Sequence, residues 1–329
     1  MRFQSIASRL LTTALLVTTT QLAASQPQAY PERPIHIVVP FAPGGGLDGA
    51  ARVLGQSLAK QLGQPVIVDN KPGGNGIIAT TYVARSKPDG YTIYLTVTTP
   101  YSMLPALYKR PLGYDAEKDY TAVGLIAEFQ TVLFANASTG ISTFKDYIAQ
   151  AKARPGKLTY ASTGSAQILT LATELLKSSA GLDVLQIPFQ GSAPALQAVV
   201  AGDVDSALLD AGGAAPFIRN GKLTPLAVLG KSRISALPEV PTLEEAGLKG
   251  VEIPMIWIGI VGPGQLPAPI VQKLNTAINK AMKEPEMTAF LGNAALTPLS
   301  STPAELDSKI RSDIQAWGSV IRKLGLQLE

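Results

Sequence analysis

Residues 34–52 read PIHIVVPFAPGGGLDGAAR and carry the pattern on which the rest of the chain is built. The β-branched run Ile35–Val39 is typical of a short buried strand. Pro40–Gly46 is rich in proline and glycine, which predicts a loop. Over Asp48–Leu62 apolar residues recur at helical spacing, and Gly63 is a suitable helix stop. The stretch therefore predicts a strand, a glycine loop and a helix in direct succession.

The same alternation continues to the end of the chain and predicts an α/β fold with mainly parallel sheets. Two long apolar runs, Val123–Ala135 and Glu252–Val261, are expected to be strands that connect two α/β lobes. This architecture fits a bilobed binding protein as well as a two-domain enzyme. The remaining segments of the alternation are Pro65–Val68, Ile77–Ala84, Tyr91–Val97, Phe144–Ala153, Leu158–Ala161, Ile168–Ala180, Leu185–Pro188, Ala193–Val200, Ser206–Leu209, Thr224–Leu229, Ala268–Met282, Pro285–Leu291 and Pro303–Lys323.

The glycine loop superficially matches a dinucleotide-binding turn. Gly44–Gly49 has the GxGxxG spacing, and Asp69 ends the next predicted strand. However, Pro40–Pro43 separates the strand from the first glycine, and the carboxylate of Asp48 would repel a pyrophosphate inside the turn. The sequence therefore argues against a nucleotide cofactor.

The physical basis for anion binding does not depend on that motif. A glycine-rich loop that leads into a helix presents unpaired backbone N–H groups and the positive end of the helix dipole. Such a turn accepts a carboxylate as well as a phosphate. Asp48 is expected to be the N-cap, with Arg52 four residues on as its partner. The alternative is a tight structural turn that binds nothing.

A second turn of this kind lies in the other half of the chain. Tyr160–Ala166 reads YASTGSA, ends a predicted strand and leads into a helix that contains Thr170. Hydroxyls and N–H groups converge there, although a simple capping motif would look the same. Two such turns, one in each lobe, could hold a small carboxylate between them.

Composition excludes several function classes. The chain of 329 residues has 28 Lys and Arg against 24 Asp and Glu, without a basic cluster, which argues against nucleic acid. It has no Cys and one His, His36, so thiol nucleophiles, disulfides and Cys or multi-His metal sites are not expected. His36 alternates within a strand and is expected to be structural. Ser57–Lys60 and Ser142–Lys145 match SxxK, but none of the accompanying motifs of penicillin-binding enzymes is present.

The N-terminus has the layout of a secretory signal peptide. Arg2 and Arg9 precede the uncharged stretch Leu10–Ala24, and small residues follow up to Ser25. The stretch is too short to cross a hydrocarbon core of ~30 Å. Residues 1–25 are therefore predicted to be removed, leaving a soluble periplasmic protein without a cysteine for a lipid anchor.

At this point the mature chain resembles a known family, the substrate-binding proteins of tripartite tricarboxylate transporters, also called Bug proteins. The resemblance rests on Pro34–Arg52, Asp69–Gly76, Lys87–Tyr91, Pro188–Ala195, Leu226–Val228, Leu237–Gly247, Trp257, Gly262–Pro263, Ser301–Pro303 and Trp317, in the family's order.

The resemblance implies a periplasmic binding protein of type II, with two α/β domains joined by hinge strands near residues 128–133 and 253–260. Domain 1 would hold residues 30–130 plus 256–329, and domain 2 residues 131–255. It implies no cofactor, a small carboxylate ligand (a dicarboxylate or an aromatic acid), a membrane permease as partner and a monomer. The implied ligand-binding residues are Phe41, Ala42, Gly44, Gly45, Gly46 and Asp48 in the first turn, Ser162, Thr163, Gly164, Ser165 and Ala166 in the second, and Gly191, Ala193 and Asp210 in the second domain.

The second lobe departs from the family pattern. Gln167 and Thr170 stand where the family often has Ser and His, and Phe189-Gln190 replaces Tyr-Lys. This favours a more apolar ligand body or a single carboxylate. Candidates to face a ligand ring are Phe41, Tyr101, Phe189 and Trp257, each of which also fits a core position.

Two other functions remain open from the sequence. A ligand sensor that signals to a membrane kinase would share the fold but not the partner. An exported α/β enzyme would need a general base, and a chain with one His and no Cys has few residues that could act as one.

Overall fold

The computed structural model describes residues 30–129, 131–164, 167–230, 232–234, 236–250, 253–254, 256–294 and 296–328. The predicted signal peptide, the site residues Ser165 and Ala166, and parts of both predicted hinge segments lie outside this description. Within the described residues, none of the helices combines the length and apolar character that a membrane crossing needs.

Most strands lie where the alternation predicts them, because Gly and Pro on either side of a short β-branched run mark where a strand starts and ends. They are β1 (Ile35–Val39), β2 (Val66–Asn70), β3 (Thr92–Val97), β4 (Tyr120–Phe129), β5 (Thr131–Asn136), β6 (Thr159–Ser162), β7 (Leu185–Pro188), β8 (Ser206–Asp210), β9 (Leu223–Leu229), β10 (Trp257–Pro263) and β11 (Leu296–Pro298).

Several helices have the bounds that the periodicity predicts, among them Ile77–Ala84 and Ile168–Ala180. Ala211–Arg219 was not predicted, because two glycines and Pro216 give it the composition of a loop. The helices are α1 (Gly46–Leu62), α2 (Ile77–Ala84), α3 (Leu104–Leu107), α4 (Phe144–Ala153), α5 (Ile168–Ala180), α6 (Ser192–Ala201), α7 (Ala211–Arg219), α8 (Ala268–Ala281), α9 (Pro285–Asn293) and α10 (Pro303–Leu324).

The strands form two mixed sheets, each the centre of one α/β lobe. The first has the order β11-β4-β10-β3-β1-β2 and the second the order β7-β6-β8-β5-β9. In the first sheet β1 is parallel to β2 and β3, whereas β10 is antiparallel to both β3 and β4. In the second, β6 is parallel to β7 and β8, and β5 is antiparallel to β8 and β9.

The expectation of mainly parallel sheets is therefore wrong in detail. Helical crossovers give the parallel pairs, because such a connection returns the chain to the same end of the sheet. The chain instead enters the second sheet through β5, directly after β4, and returns to the first sheet through β10. These connecting strands are therefore antiparallel to their neighbours. The two-lobed α/β fold class is confirmed.

The first of the two long apolar runs divides at the passage between the sheets. Val123–Ala135, expected to be one strand, is the end of β4 in the first sheet and most of β5 in the second. In the second run the strand begins at Trp257 rather than at Glu252. Sheet membership thus changes between Phe129 and Thr131 and again between β9 and β10. The exact division into two domains stays a prediction.

The largest apolar cluster contains buried residues that accompany both sheets. Leu104 and Leu107 of α3 and Trp317 of α10 belong to the same cluster as Leu133 of β5 and Leu171 of α5. Helix α10 begins with a capping box between Thr302 and Glu305. Its C-terminal half thus contributes to a core shared with the second lobe.

Candidate functional site

The first predicted turn connects β1 to α1 at the carboxyl edge of the first sheet. Gly44 has φ +89°, a left-handed conformation that favours glycine, and no atom lies within 4 Å of the position a Cβ would take. Gly45 is the N-cap of α1, which begins at Gly46. The glycines therefore let the backbone turn sharply and keep the space in front of it open.

Asp48 holds this turn in place. Its buried carboxylate accepts hydrogen bonds from the Gly44 N–H at 2.9 Å, from Nε and Nη2 of Arg52 at 2.9 Å each, and from Nδ2 of Asn70 at 3.0 Å. The bonds from Arg52, Gly44 and Asn70 lower the pKa of Asp48 to about 2 against the effect of burial. Asn70 also donates to the Phe41 carbonyl at 3.0 Å. Asp48 therefore stabilises the conformation of the turn.

The pairing of Asp48 with Arg52 is confirmed, but the prediction that Asp48 is the N-cap is wrong. The cap residue is Gly45, and Asp48 is the third residue of the helix. From that position its carboxylate reaches back over the first turn of the helix to the Gly44 N–H. The sequence could not distinguish these positions, because an acidic residue is favourable at either one.

The groups of this turn that are available to an anion are backbone amides. Within the described residues, the N–H groups of Gly45, Gly46 and Leu47 make no hydrogen bond. They lie at the positive end of a helix of 17 residues. A Cβ on Gly46 would meet no atom within 4 Å, so a ligand can approach. This geometry suits a carboxylate oxygen.

An apolar cavity of about 270 Å³ borders the same turn. The first turn and the start of α1 form one side of it, and the ends of β4 and α9 with the start of β11 form the other. Its lining residues are Phe41, Gly45, Gly46, Leu47, Phe129, Ala294 and Leu296.

The second predicted turn connects β6 to α5, whose N-cap is Gln167. Ser162 is buried, and its Oγ accepts from Nε2 of Gln186 at 2.8 Å. The hydroxyls of Thr163 and Thr170 are buried, 6% and 3% exposed, and have no hydrogen-bond partner among the described residues. A buried hydroxyl without a partner is costly, so these two groups are candidates for contact with a ligand.

The other predicted residues of the second lobe lie at helix starts along one edge of its sheet. Gly191, with φ +103°, is the N-cap of α6, and Ala193 lies exposed in the first turn of that helix. Asp210 is the N-cap of α7 and accepts from the Gly213 N–H at 3.1 Å. Because β7 and β8 both run parallel to β6, the starts of α5, α6 and α7 share this edge.

Strand directions bring the functional edges of both sheets to the crossing between the lobes. The carboxyl ends of β1, β3 and β4 share one edge, since β10 is antiparallel to both β3 and β4. The start of β5 lies at the edge of β6, β7 and β8 that carries the second turn, because Thr131 pairs with Asp210. As β4 leads directly into β5, both edges meet near Phe129 and Thr131.

One side-chain hydrogen bond also joins the two lobes. Nε2 of Gln167 donates to Oδ1 of Asn75 at 3.3 Å. Asn75 lies in the turn after β2 and has φ +54°, a conformation in which Asn is enriched. This contact could not be predicted from the sequence, because nothing local relates the two positions.

The predicted aromatic residues separate into core and surface. Trp257 is fully buried and donates from Nε1 to Asp313 at 2.8 Å. Tyr101 is buried beside Tyr120, with ring centroids 5.1 Å apart. Phe189 is partly buried against the second-lobe core. Phe41 is 39% exposed and lines the cavity.

The single histidine of the chain has a structural partner. His36 Nδ1 lies 2.7 Å from Asp69 Oδ2, so the acidic residue of the nucleotide-like motif is bound to the neighbouring strand. Within the described residues, no cluster of three side chains that could hold a metal ion occurs.

Known proteins are similar to this chain in sequence and in fold. The sequence profile of the tripartite tricarboxylate transporter family receptor matches residues 50–326. The solved structure of the periplasmic binding protein BugD is 32% identical, has a TM-score of 0.75, and the alignment covers 91% of this chain and 100% of BugD.

Two further solved structures contain carboxylates. Rpa4515 from R. palustris, solved with adipate, is 30% identical with a TM-score of 0.77, over 91% of this chain and 99% of its own. MatC from Rhodopseudomonas palustris, with bound malate, is 31% identical with a TM-score of 0.73, over 89% and 100%. With a profile match over most of its length, the chain belongs to the receptor family of the tripartite tricarboxylate transporters.

Proposed function

We propose that this protein is a periplasmic receptor that captures a small carboxylate at the edge where its two lobes meet and delivers it to a tripartite membrane permease. The observation that carries the proposal is the row of unbonded amides at Gly45, Gly46 and Leu47. Its relatives with bound adipate and malate support the same ligand chemistry.

The proposed site binds charge without a free cation. Arg52 is engaged with Asp48, so that pair is close to neutral and the attraction comes from helix termini and amides. Hydrogen bonds to a charged group contribute about 1.5–3 kcal/mol each. Three or four of them, reduced by the cost of ordering the ligand and closing the lobes, are consistent with micromolar affinity, about −8 kcal/mol.

The second turn would complete the site. The hydroxyls of Thr163 and Thr170 would donate to the ligand from the other lobe, and Gly191 and Asp210 lie at the same sheet edge. A ligand that contacts both lobes binds their closed arrangement better and so stabilises it. The permease would then recognise the closed receptor.

The decisive experiment removes one amide without disturbing the fold. Gly46 is the first residue of α1, where proline is favourable, and Gly45 before it is extended, with φ −80° and ψ 168°, as a residue before proline should be. Gly46→Pro is therefore expected to fold, with an unchanged or raised melting temperature, and to bind carboxylate about 10- to 100-fold more weakly by calorimetry.

The matched control is Gly46→Ala, which keeps the N–H and adds a Cβ that meets no atom within 4 Å. It should bind within about threefold of the wild type. Equal affinity in the proline and alanine variants would contradict the proposed role of this turn.

Delivery and export require separate tests. Uptake of the bound carboxylate by cells that contain the permease should depend on the receptor and be lost with Gly46→Pro. Sequencing of the N-terminus of the protein from the periplasmic fraction should find a start near residue 26. Retention of the full N-terminus would contradict the export prediction.

A further inference from the structure

The cavity beside the first turn is lined by apolar residues. Its wall is made by two aromatic rings, Phe41 and Phe129, and by the aliphatic side chains of Leu47 and Leu296, with Ala294 and two glycines. Leu296 pairs with Phe129 in the antiparallel ladder between β11 and β4, so the two residues are direct neighbours across the strands. None of these described lining residues carries a charged side chain.

The nearest charged groups are directed elsewhere. The Asp48 carboxylate is bound to Arg52, Asn70 and the Gly44 amide. Glu128 precedes Phe129 on β4 and therefore lies on the other face of the strand, where its charge interacts with Lys309. Burial raises the pKa of Glu128. None of the described residues that line the cavity therefore offers a cation or a polar side chain to a second charged group of a ligand.

The cavity and the amide row share Gly45, Gly46 and Leu47. A molecule whose carboxylate accepts hydrogen bonds from these amides therefore has the apolar wall directly beside it. An apolar cavity of about 150 Å³ can hold benzene, so about 270 Å³ accommodates a substituted ring or a branched chain. Phe129 also lines a narrow cavity together with Thr131 and Leu229 of the second sheet, so this wall lies beside the crossing between the lobes.

We propose that the cavity formed by Phe41, Leu47, Phe129 and Leu296 holds the apolar body of the ligand, and that the ligand is accordingly a monocarboxylate with a compact ring or branched hydrocarbon. This inference rests on the proposed function, since it assumes that the carboxylate binds the amides of the first turn. A second carboxylate in the cavity would lose its hydration without gaining a partner.

Calorimetry with a matched set of probes tests the ligand class. Benzoate and cyclohexanecarboxylate are expected to bind at least tenfold more tightly than adipate and malate. Acetate, which lacks the body, and benzamide, which lacks the charge, are expected to bind weakly or not at all. Tighter binding of the dicarboxylates would overturn the inference.

Phe41→Ala tests the cavity itself, because Phe41 is 39% exposed and its removal should not affect folding. The variant should bind benzoate about tenfold more weakly, while its free energy of unfolding without ligand stays close to that of the wild type. Tyr82→Ala is the matched control, an aromatic residue of α2 that is 46% exposed and outside the cavity. Equal benzoate affinity in Phe41→Ala and the wild type would overturn the inference.

A gain-of-function variant separates this inference from the proposed function. Leu47→Arg places a cation at the cavity, so it should improve adipate binding and weaken benzoate binding. If the wild type binds dicarboxylates best and Gly46→Pro abolishes this binding, the receptor function stands and the inference fails. If no carboxylate of either class binds, both fail.

Discussion

Asn75 and Gln167 are joined by a side-chain hydrogen bond of 3.3 Å across 92 positions of sequence, and this bond connects the turn after β2 in the first lobe to the N-cap of α5 in the second. The turn that holds Asn75 is closely packed. A Cβ at Gly76 would lie 2.8 Å from Pro100 Cγ and 3.7 Å from Pro40 Cβ, so Gly76 touches the residue that begins the first ligand turn. Contact between the lobes is thus made next to both proposed binding turns.

We expect this bond to favour the closed arrangement. Asn75→Gly keeps the positive φ and removes the acceptor, and Gln167→Ala removes the donor. An exposed hydrogen bond contributes about 0.5–1.5 kcal/mol, so each variant should weaken ligand binding by about two- to tenfold. Calorimetry measures this change, and X-ray scattering should find the ligand-free variants more extended than the wild type.

The double variant provides the control for this prediction. If the two residues act through one bond, Asn75→Gly with Gln167→Ala should weaken binding no more than either change alone. Additive losses, or wild-type affinity and scattering in both single variants, would contradict the assignment.

The unpartnered hydroxyls of Thr163 and Thr170 predict opposite effects on stability and binding. Valine keeps the shape of threonine without the hydroxyl, so Thr163→Val and Thr170→Val remove a buried group that lacks a partner. Each should raise the free energy of unfolding of the ligand-free protein by up to about 1–3 kcal/mol and weaken carboxylate binding. Urea titrations and calorimetry measure the two quantities.

Thr173 supplies the matched control for these variants. It is as deeply buried on the same helix, 3% exposed, but its Oγ1 donates to the Leu169 carbonyl at 2.8 Å. Thr173→Val should leave ligand affinity unchanged. Loss of affinity in Thr173→Val equal to that in Thr170→Val would mean that the hydroxyls act on helix packing and not on the ligand.

The hydrogen bonds of the charged Asp48 carboxylate predict a pH-dependent contribution to stability. The folded-state pKa of about 2 lies below the ordinary value of 3.8, so folding favours the charged form. The stabilisation, about 2 kcal/mol, is present at neutral pH and is lost as the pH falls from about 5 to 2.

The difference between the wild type and Asp48→Asn isolates this contribution from other titrating carboxylates. Urea unfolding at pH 7 should find the variant less stable, and the difference should shrink at pH 2.5. Carboxylate affinity at pH 7 should fall as well, since the amide of Asn has no charge and only one acceptor oxygen, so part of the bonding to the Gly44 amide and to Arg52 is lost. A stability difference that does not depend on pH would contradict the ion-pair assignment.

Local pattern predicted the elements that close over short distances. Helix α2 over Ile77–Ala84 and strand β1 over Ile35–Val39 have the predicted bounds, because apolar spacing and flanking glycines are written in neighbouring residues. The same reasoning failed for the run Val123–Ala135. Nothing in its continuous apolar composition marks Phe129 and Thr131 as members of different sheets.

The aromatic residues show most clearly what local sequence cannot predict. Trp257 and Phe41 are both plausible ring-facing residues from composition. The structure buries Trp257 against Asp313 in α10 and leaves Phe41 exposed in the cavity. Which of them faces a ligand depends on partners far away in the chain, and a sequence window cannot contain them.

Local sequence alone is enough to place the glycine turn and the helix that begins after it, and hence the row of unbonded amides. Those features depend on backbone freedom and on hydrogen bonds that a helix start always leaves unmade. The surroundings of the amides, in contrast, depend on the folded chain. The apolar wall takes Phe41, Phe129 and Leu296 from three distant segments, and the bond from Asn75 to Gln167 requires both lobes in place, because burial and charge are properties of neighbours in space.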